Sequence, residues 1–311
     1  MKEKFRESGN ATGVSTGVLI PVDFSSKDGI ALEIGFALAR RLSLPVKIIH
    51  ASSIVTSGIF PQFPDEYNGL DNTEGLIEEV EMEAEINDID REGIRKIRKD
   101  VASKIKEGKL PDVKFHAFSA PGMPEEVITA YCELKNPATV VMATRNIATR
   151  RLELVGSVTA EVIDNCRVPI FSIPENYHFD GFKDIKRLVA FCYLEGGDRR
   201  GIDTLMAMFD NPEVKIYLFP ASSKFKSQDV DRKIDLLYEE LSEAYPNAEF
   251  EKVHSDGMDL KETANRMFED DHIQMIVAPN KKRNAFARFF HPGLPHRILF
   301  EKDIPMLAIP V

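Results

Sequence analysis

The stretch Val140–Ser157, Val-Val-Met-Ala-Thr-Arg-Asn-Ile-Ala-Thr-Arg-Arg-Leu-Glu-Leu-Val-Gly-Ser, carries the residue types that could receive an anion. It begins as a short apolar run of the kind that forms a buried parallel strand. A polar basic loop follows, and Gly156-Ser157 opens the helix-like segment Val158-Thr-Ala-Glu-Val-Ile163. Unpaired backbone N–H groups and the helix dipole at such a strand, loop and helix start attract negative charge. A glycine and serine at a helix start are also an ordinary cap. Arg145, Arg150 and Arg151 add three guanidinium groups that could grip phosphate oxygens bidentately, although a solvated basic loop has the same composition. Asp23, at the end of the apolar run Val18-Leu-Ile-Pro-Val22, is read either as a ligand-facing carboxylate or as a turn or capping residue.

Other chemistry is sparse. There is no GxSxG, no HExxH, no P-loop lysine motif and no convergent nucleophile and base, so no independent catalytic activity is expected. Cys132, Cys166 and Cys192 share no CxxC spacing, which argues against a disulfide framework and a zinc site and for a reducing cytoplasm. Cys192 reads as a core residue at a strand end, with a reactive thiol as the sharper alternative. Glu74, Glu78, Glu79, Glu81, Glu83 and Glu85 read as a solvated helix face, since no histidine gathers them into a metal site. His291 and His296 are too isolated from other ligand types to suggest a metal.

The elements that must position these residues follow from size and pattern. A chain of 311 residues suits two ordinary domains. With 43% apolar and 29% charged residues it reads as a soluble globular protein, and no apolar run is long enough to cross a membrane. A net charge of −10 argues against general binding to nucleic acid. Residues 1–16 lack an apolar h-region and read as a disordered tail without a signal peptide.

The sequence repeats itself. Pro111-Asp-Val-Lys-Phe115 precedes Gly122-Met123 as Pro246-Asn-Ala-Glu-Phe250 precedes Gly257-Met258, at the same spacing (122 − 111 = 257 − 246 = 11). Ala143 and Ala278 follow those glycines at equal distance (143 − 122 = 278 − 257 = 21). The run Val168-Pro-Ile-Phe-Ser-Ile-Pro174 matches Ile304-Pro-Met-Leu-Ala-Ile-Pro310, Val18–Asp23 matches Leu188–Cys192, and Val46-Lys-Ile48 matches Val214-Lys-Ile216. Such order points to a tandem duplication, with domains at 17–176 and 184–311 and a seam at Pro174–Asp184.

Within each half, apolar strands alternate with helical patterns, the signature of an α/β fold with a parallel sheet covered on both faces. Ser25-Ser-Lys-Asp28 resembles a capping box ahead of a helix through Ile30–Ala39. A charged helix is expected over about Thr73–Lys106, with Ile94, Ile97, Val101 and Ile105 as its apolar face. Ser52–Asn72 is too long for an ordinary connection and suggests a lid or an interface arm.

Taken together, Pro21-Val-Asp-Phe-Ser25, Ile48-Ile-His50, Gly122-Met-Pro124, the Val140–Ser157 stretch, Gly156-Ser-Val-Thr159 and Val168-Pro169 resemble the universal stress protein family in its tandem form. That resemblance implies two five-stranded Rossmann-like domains of the adenine nucleotide α-hydrolase-like kind. It also implies association through the final strand, which a tandem chain can satisfy internally as a pseudo-dimer. ATP-binding members carry a glycine, two residues, a second glycine, nine residues, then Gly-Ser or Gly-Thr. Here the frame is kept, but Ala143 and Asn146 replace the first two glycines. Those glycines let backbone approach phosphate without a Cβ in the way, so affinity is expected to fall. By resemblance, Asp23 lies at the adenine and ribose end, Ala51 offers its backbone to the base, and Gly156 and Ser157 meet the phosphates; Ala143, Thr144, Arg145 and Asn146 are the further candidate residues of this site for ATP or AMP.

The second half reads as degenerate. Cys192 stands at the position matched to Asp23, Ala278-Pro-Asn-Lys-Lys-Arg283 has no glycine before Gly293, and Ala278 to Pro305 is one residue longer than Ala143 to Pro169. Pro279 and Pro292 also remove backbone donors, so no nucleotide is expected there. Phe286, Phe289, Phe290, Arg283, Arg288, His291, His296 and Arg297 alternate aromatic and basic groups, read either as interface filling or as a surface for an anionic partner. The expected function is stress-linked regulation or binding through an unidentified protein partner, with weak or no nucleotide affinity. The alternative is an adenine-nucleotide binder in the first half only, with slow ATP hydrolysis open, as is further pairing of two chains into a homodimer.

Overall fold

The computed structural model describes residues 15–52, 88–144, 157–194, 196–209, 213–220, 227–253, 267, 272–280 and 304–310. The apolar runs form one sheet. In the first half β1 is Val18–Val22, β2 Val46–Ser52, β3 Phe115–Pro121, β4 Thr139–Thr144 and β5 Ile170–Pro174. In the second, β6 is Arg187–Cys192, β7 Lys215–Pro220, β8 Glu249–Lys252, β9 Met275–Asn280 and β10 Met306–Pro310. The ten strands lie in the order β3-β2-β1-β4-β5-β10-β9-β6-β7-β8. All neighbours are parallel except β5 and β10 at the centre. Read outward from that pair, both halves have the same order.

Period-two alternation divides the core. Val18, Ile20 and Val22 enter one apolar layer, with Leu188, Ala190 and Cys192, while Leu19 enters the other with Val189 and Phe191. Both faces are covered, which is why these strands read as continuous apolar runs.

Helices α1 (Asp28–Leu42), α2 (Asp88–Lys106), α3 (Pro124–Lys135) and α4 (Ser157–Asn165) belong to the first half, and α5 (Asp198–Phe209) and α6 (Ser227–Ala244) to the second. Pro124 starts α3 where its missing N–H costs nothing, and Asn136 ends that helix at φ 44°. Helix α2 lies within the span expected from Thr73, whose earlier residues fall outside the described ones. The expected capping box does not form. Lys27 is the N-cap residue and its ammonium has no acceptor to offer as a cap, while the Asp28 carboxylate turns back and accepts the Asp23 N–H at 3.3 Å.

The central pair has a particular register. Phe171 faces Leu307, its own counterpart in the repeat, while Ser172 faces Met306 and Ile170 faces Ala308. Residue i of one strand meets the equivalent of j on the other, and j meets the equivalent of i. That exchange is the mark of an isologous contact. Around it, Arg41 of α1 donates to Met208 O of α5 at 2.7 Å. Asn280 Nδ2 donates to Ile163 O. The Pro174–Asp184 seam sends Phe182 against Phe209, which in turn meets Phe171 edge-on at 5.8 Å.

Ladder registers correct three matches made on sequence. Val18 pairs with Val46 and Thr139, as Leu188 pairs with Ile216 and Met275. Carried along each half, these pairings reach the matches Phe115 to Phe250 and Ile170 to Met306 without a slip. Consequently Val46 corresponds to Ile216 and not to Val214, and Ala143 to Pro279 and not to Ala278. Asp23 corresponds to Tyr193 and not to Cys192, which is instead the counterpart of buried Val22. The extra residue between Ala278 and Pro305 vanishes, since Pro279 to Pro305 and Ala143 to Pro169 are equal (305 − 279 = 169 − 143 = 26).

Candidate functional site

In each half the chain leaves the first strand to one side and the fourth lies on the other, which makes the C-terminal ends of β1 and β4 a topological switch point. Open α/β sheets bind ligands in the crevice at such a point. Asp23 follows β1, while Ala143 and Thr144 end β4, so the topology brings these three to one crevice. Ala51 lies one strand over, in register with Ala120 of β3. Arg145, Asn146 and Gly156 lie outside the described residues, as do Arg150, Arg151, residues 53–72, the Glu74–Glu85 series and the Phe- and Arg-rich segment 283–297. Helix α4 does begin at Ser157, the position where the pattern puts a helix start.

Asp23 makes the turn the sequence offered as one of its two roles. Its Oδ1 accepts the Ser25 N–H at 3.1 Å, and its Oδ2 pairs with Lys27 Nζ at 2.7 Å, with the side chain 44% exposed. Burial pushes this carboxyl up, but the bonds from Lys27 and Ser25 outweigh it and hold the group below the ordinary aspartate value. It is therefore an exposed, charged acceptor at the crevice. Thr144 is turned elsewhere: its hydroxyl donates to Ile173 O at 3.2 Å, and its carbonyl accepts Glu175 N–H, so it clamps β4 to β5.

Behind Asp23, Asp28 is 6% exposed and its Oδ2 has no hydrogen-bond partner among the described residues. Burial, and then the charge of Asp23, raise its pKa to about 6.

Sequence reasoning did not single out the polar cluster beside this crevice. His50 Nδ1 donates to Val22 O at 2.9 Å, since a carbonyl can only accept. His50 Nε2 meets Asp90 Oδ1 at 3.1 Å, and Ser52 Oγ donates to Asp90 Oδ2 at 2.5 Å. Asp90 comes from the first turn of α2 and is buried, so one carboxylate ties that helix to the end of β2. Phe24 covers the cluster, stacked on the His50 ring at 4.0 Å between centroids, and lies so close to Gly93 that an added Cβ there would sit 2.5 Å from the ring. Phe24 adopts φ 62°, a left-handed conformation uncommon for a bulky residue. Phe24 and His50 stand in the motifs Pro21–Ser25 and Ile48–His50, whereas for Asp90 the sequence signal was Gly93, three residues after it on the otherwise charged helix.

The second half builds the same turn with other side chains. Leu194 adopts φ 58°, and Asp198 accepts the Tyr193 and Leu194 N–H groups at 2.8 and 2.9 Å, one on each oxygen. The apolar stripe Ile234, Leu237, Leu241 and Tyr245 repeats the 3, 4, 4 spacing of Ile94, Ile97, Val101 and Ile105. On that frame Lys233 stands where the first half has Gly93, and its Nζ donates to Leu194 O at 2.8 Å. Val230 stands for Asp90, and the strand registers put Pro220 at the place of His50. At this switch point Ala190, Cys192, Asp198, Pro279 and Ile309 leave a cleft with room for about one water molecule. Cys192 is fully buried, and burial, followed by the charge of Asp198, raises its thiol pKa, which favours the core reading of that residue over the reactive one. Among the described residues no group of His, Cys, Asp and Glu could hold a metal, and no helix is long and apolar enough to cross a membrane.

The model of the Universal stress protein family matches residues 16–174. Among solved structures, a universal stress protein from Archaeoglobus fulgidus DSM 4304 is similar over 95% of this chain and 97% of its own, at TM-score 0.58 and 14% identity. A putative universal stress protein from Pseudomonas aeruginosa UCBPP-PA14 is similar over 95% and 93%, at TM-score 0.52 and 9% identity. A functionally unknown protein from Pseudomonas aeruginosa PAO1 is similar over 95% and 92%, at TM-score 0.53 and 9% identity. These likenesses concern the fold. No curated protein matches the sequence.

Proposed function

The chain belongs to the universal stress protein family, and on that premise we propose that it is a stress-linked binding and regulatory protein of the cytoplasm. It is a tandem duplication with domains at 17–176 and 184–311, whose ligand-facing end lies in the first half and whose second half acts as scaffold. One observation carries this reading: at equivalent switch points the first half presents the exposed carboxylate of Asp23 beside Ala143, whereas the second has Tyr193 and Pro279. A phenol and a residue without an N–H are poor replacements for a ribose acceptor and a phosphate donor. Affinity of the first half for nucleotide is weak or absent because Ala143 and Asn146 hold the places of two glycines. The protein then acts through a partner and performs no catalysis of its own.

The second reading is an ATP or AMP site in the first half, with slow ATP hydrolysis open to it. The exposed acceptor at Asp23 and the helix start at Ser157 favour it. Calorimetric titration with ATP and with AMP separates the two. Heat of binding at micromolar ligand, lost in Asp23→Ala, or a nucleotide carried through purification, establishes the second reading and overturns the first. Absence of binding in the millimolar range removes the second. Affinity gained by the double change Ala143→Gly, Asn146→Gly would identify a weakened nucleotide cradle and support the first.

A further inference from the structure

Cys132 and Cys166 stand apart from the site just described, and both are buried free thiols. Cys132 lies in the last turn of α3, and Cys166 lies just beyond α4, in the short coil that leads to β5. Their proximity has a geometric origin. Cys166 Sγ donates to Thr129 Oγ1 at 3.8 Å, and Thr129 sits three residues before Cys132, on the same face of α3. A sulfur in contact with Thr129 therefore lies within one helical turn of Cys132, close enough for each thiol to shift the titration of the other. Both belong to one apolar layer, with Val162, Ile163 and Val168 around them.

We propose that Cys132 and Cys166 form a peroxide-responsive thiol pair that closes into an intramolecular disulfide between α3 and the end of α4. The two sulfurs are not equivalent. With Cys132 as a donor, the Cys166 thiol is held below the ordinary cysteine value, and the Thr129 hydroxyl against its sulfur can turn to donate to the thiolate as well. Cys132 moves the opposite way, first because it is the donor in that bond and second because it is buried. Cys166, the sulfur with the Thr129 hydroxyl against it, is assigned as the attacking one and Cys132 as the resolving one.

The step balances with hydrogen peroxide as the oxidant. The Cys166 thiolate attacks one peroxide oxygen, an S–O bond forms, the O–O bond breaks, and the departing hydroxide takes a proton to become water. The Cys132 sulfur then attacks the sulfenic sulfur, the S–S bond forms, the S–O bond breaks, and a second water leaves. Two thiols are oxidised and one peroxide is reduced to two waters. Closing the bond draws the sulfurs together, and the coil at Cys166 can absorb that movement. The cross-link encloses 33 residues (166 − 132 − 1 = 33), including β4 and α4. Because α4 begins at Ser157, oxidation fixes one wall of the proposed ligand site. The disulfide itself does not depend on that site binding anything.

Cys192 is the internal control. It is buried as they are, but in the opposite apolar layer, and its thiol bonds to Ala190 O at 3.4 Å. The full chain is treated with hydrogen peroxide, free thiols are alkylated, and peptides are mapped by mass spectrometry. The expected result is a dithiothreitol-reversible Cys132–Cys166 linkage within one chain, two fewer free thiols, Cys192 alkylated, and a melting temperature raised by several degrees. Cys132→Ser should leave a sulfenic acid on Cys166 that dimedone traps, whereas Cys166→Ser should leave all thiols reduced. Cys192→Ser should change nothing. Both thiols remaining free under peroxide that oxidises free cysteine overturns the proposal. So does a linkage that uses Cys192 or joins two chains.

Discussion

The two halves of the sheet share strand order, a carboxylate-held left-handed turn after the first strand, and one helical stripe, yet they solve the end of that turn in opposite ways. The first half fills it with Phe24 over a histidine and a buried carboxylate, and needs Gly93 to make room. The second uses the smaller Leu194 and brings in Lys233 to cap its carbonyl. Where the first half has Asp23, His50, Asp90 and Ala143, polar or small groups, the second has Tyr193, Pro220, Val230 and Pro279, apolar or donor-poor ones. The two halves share backbone geometry more than side-chain chemistry: an aspartate accepts backbone N–H at this turn in both, one group at Asp28 and two at Asp198, whatever the neighbouring side chains are.

The contrast is broken most severely at Asp90. Asp90→Ala leaves His50 Nε2 and the buried Ser52 hydroxyl without their acceptor, and should destabilise the protein by about 3 kcal/mol in urea titration. Val230→Ala at the equivalent place removes only half-buried methyl groups and should cost about 1 kcal/mol. Equal losses would mean that the polar cluster adds nothing to the anchoring of α2.

A smaller effect tests the pairing of Phe24 with Gly93. Alanine normally improves a helix by about 1 kcal/mol over glycine. Here the new Cβ would meet the Phe24 ring at 2.5 Å, so Gly93→Ala should instead cost about 2 kcal/mol. In a Phe24→Leu background, which copies Leu194, the same change should become neutral or stabilising. A double-mutant cycle by thermal or chemical unfolding measures that coupling, and additivity of the two changes would remove the steric argument.

Much of this was legible in the sequence, and the limits have physical causes. The strands were readable because both faces of a parallel sheet are buried, so each appears as an apolar run. Phe115 with Phe250, and Val168–Pro174 with Ile304–Pro310, aligned correctly because a proline fixes their position. At Cys192, Val214 and Ala278 the matches slipped by one or two residues, since neighbouring apolar residues look alike and only hydrogen-bond register decides which face each one takes. Asp90 was hidden for another reason: a buried carboxylate on a helix rich in charge cannot be told from a solvated one until its partners, 38 and 40 residues away, are in place. Conversely, Asp28 looked like part of a capping box because local spacing cannot show which way a short side chain turns.

The subtlest test uses one substitution at two equivalent aspartates. Asp28 is buried, lacks a partner for Oδ2 among the described residues, and faces the charge of Asp23, so its pKa is raised from 3.8 to about 6. A carboxyl that holds its proton more tightly when folded contributes stability that is complete below pH 3.8 and is lost as pH rises through about 6. A rise of this size corresponds to at least about 1 kcal/mol. Asp28→Asn keeps an oxygen for the Asp23 N–H but has no charge to desolvate. Its unfolding free energy should match that of the wild type near pH 4 and exceed it by at least about 1 kcal/mol at pH 7.5. At Asp198 both oxygens accept backbone N–H groups, so Asp198→Asn turns an amide NH₂ against one of those donors. That variant should lose about 1–2 kcal/mol at the same pH. Opposite signs would show that the two carboxylates hold one turn by different electrostatics, and a loss of equal size at both would mean that Asp28 is ionised and fully paired at neutral pH.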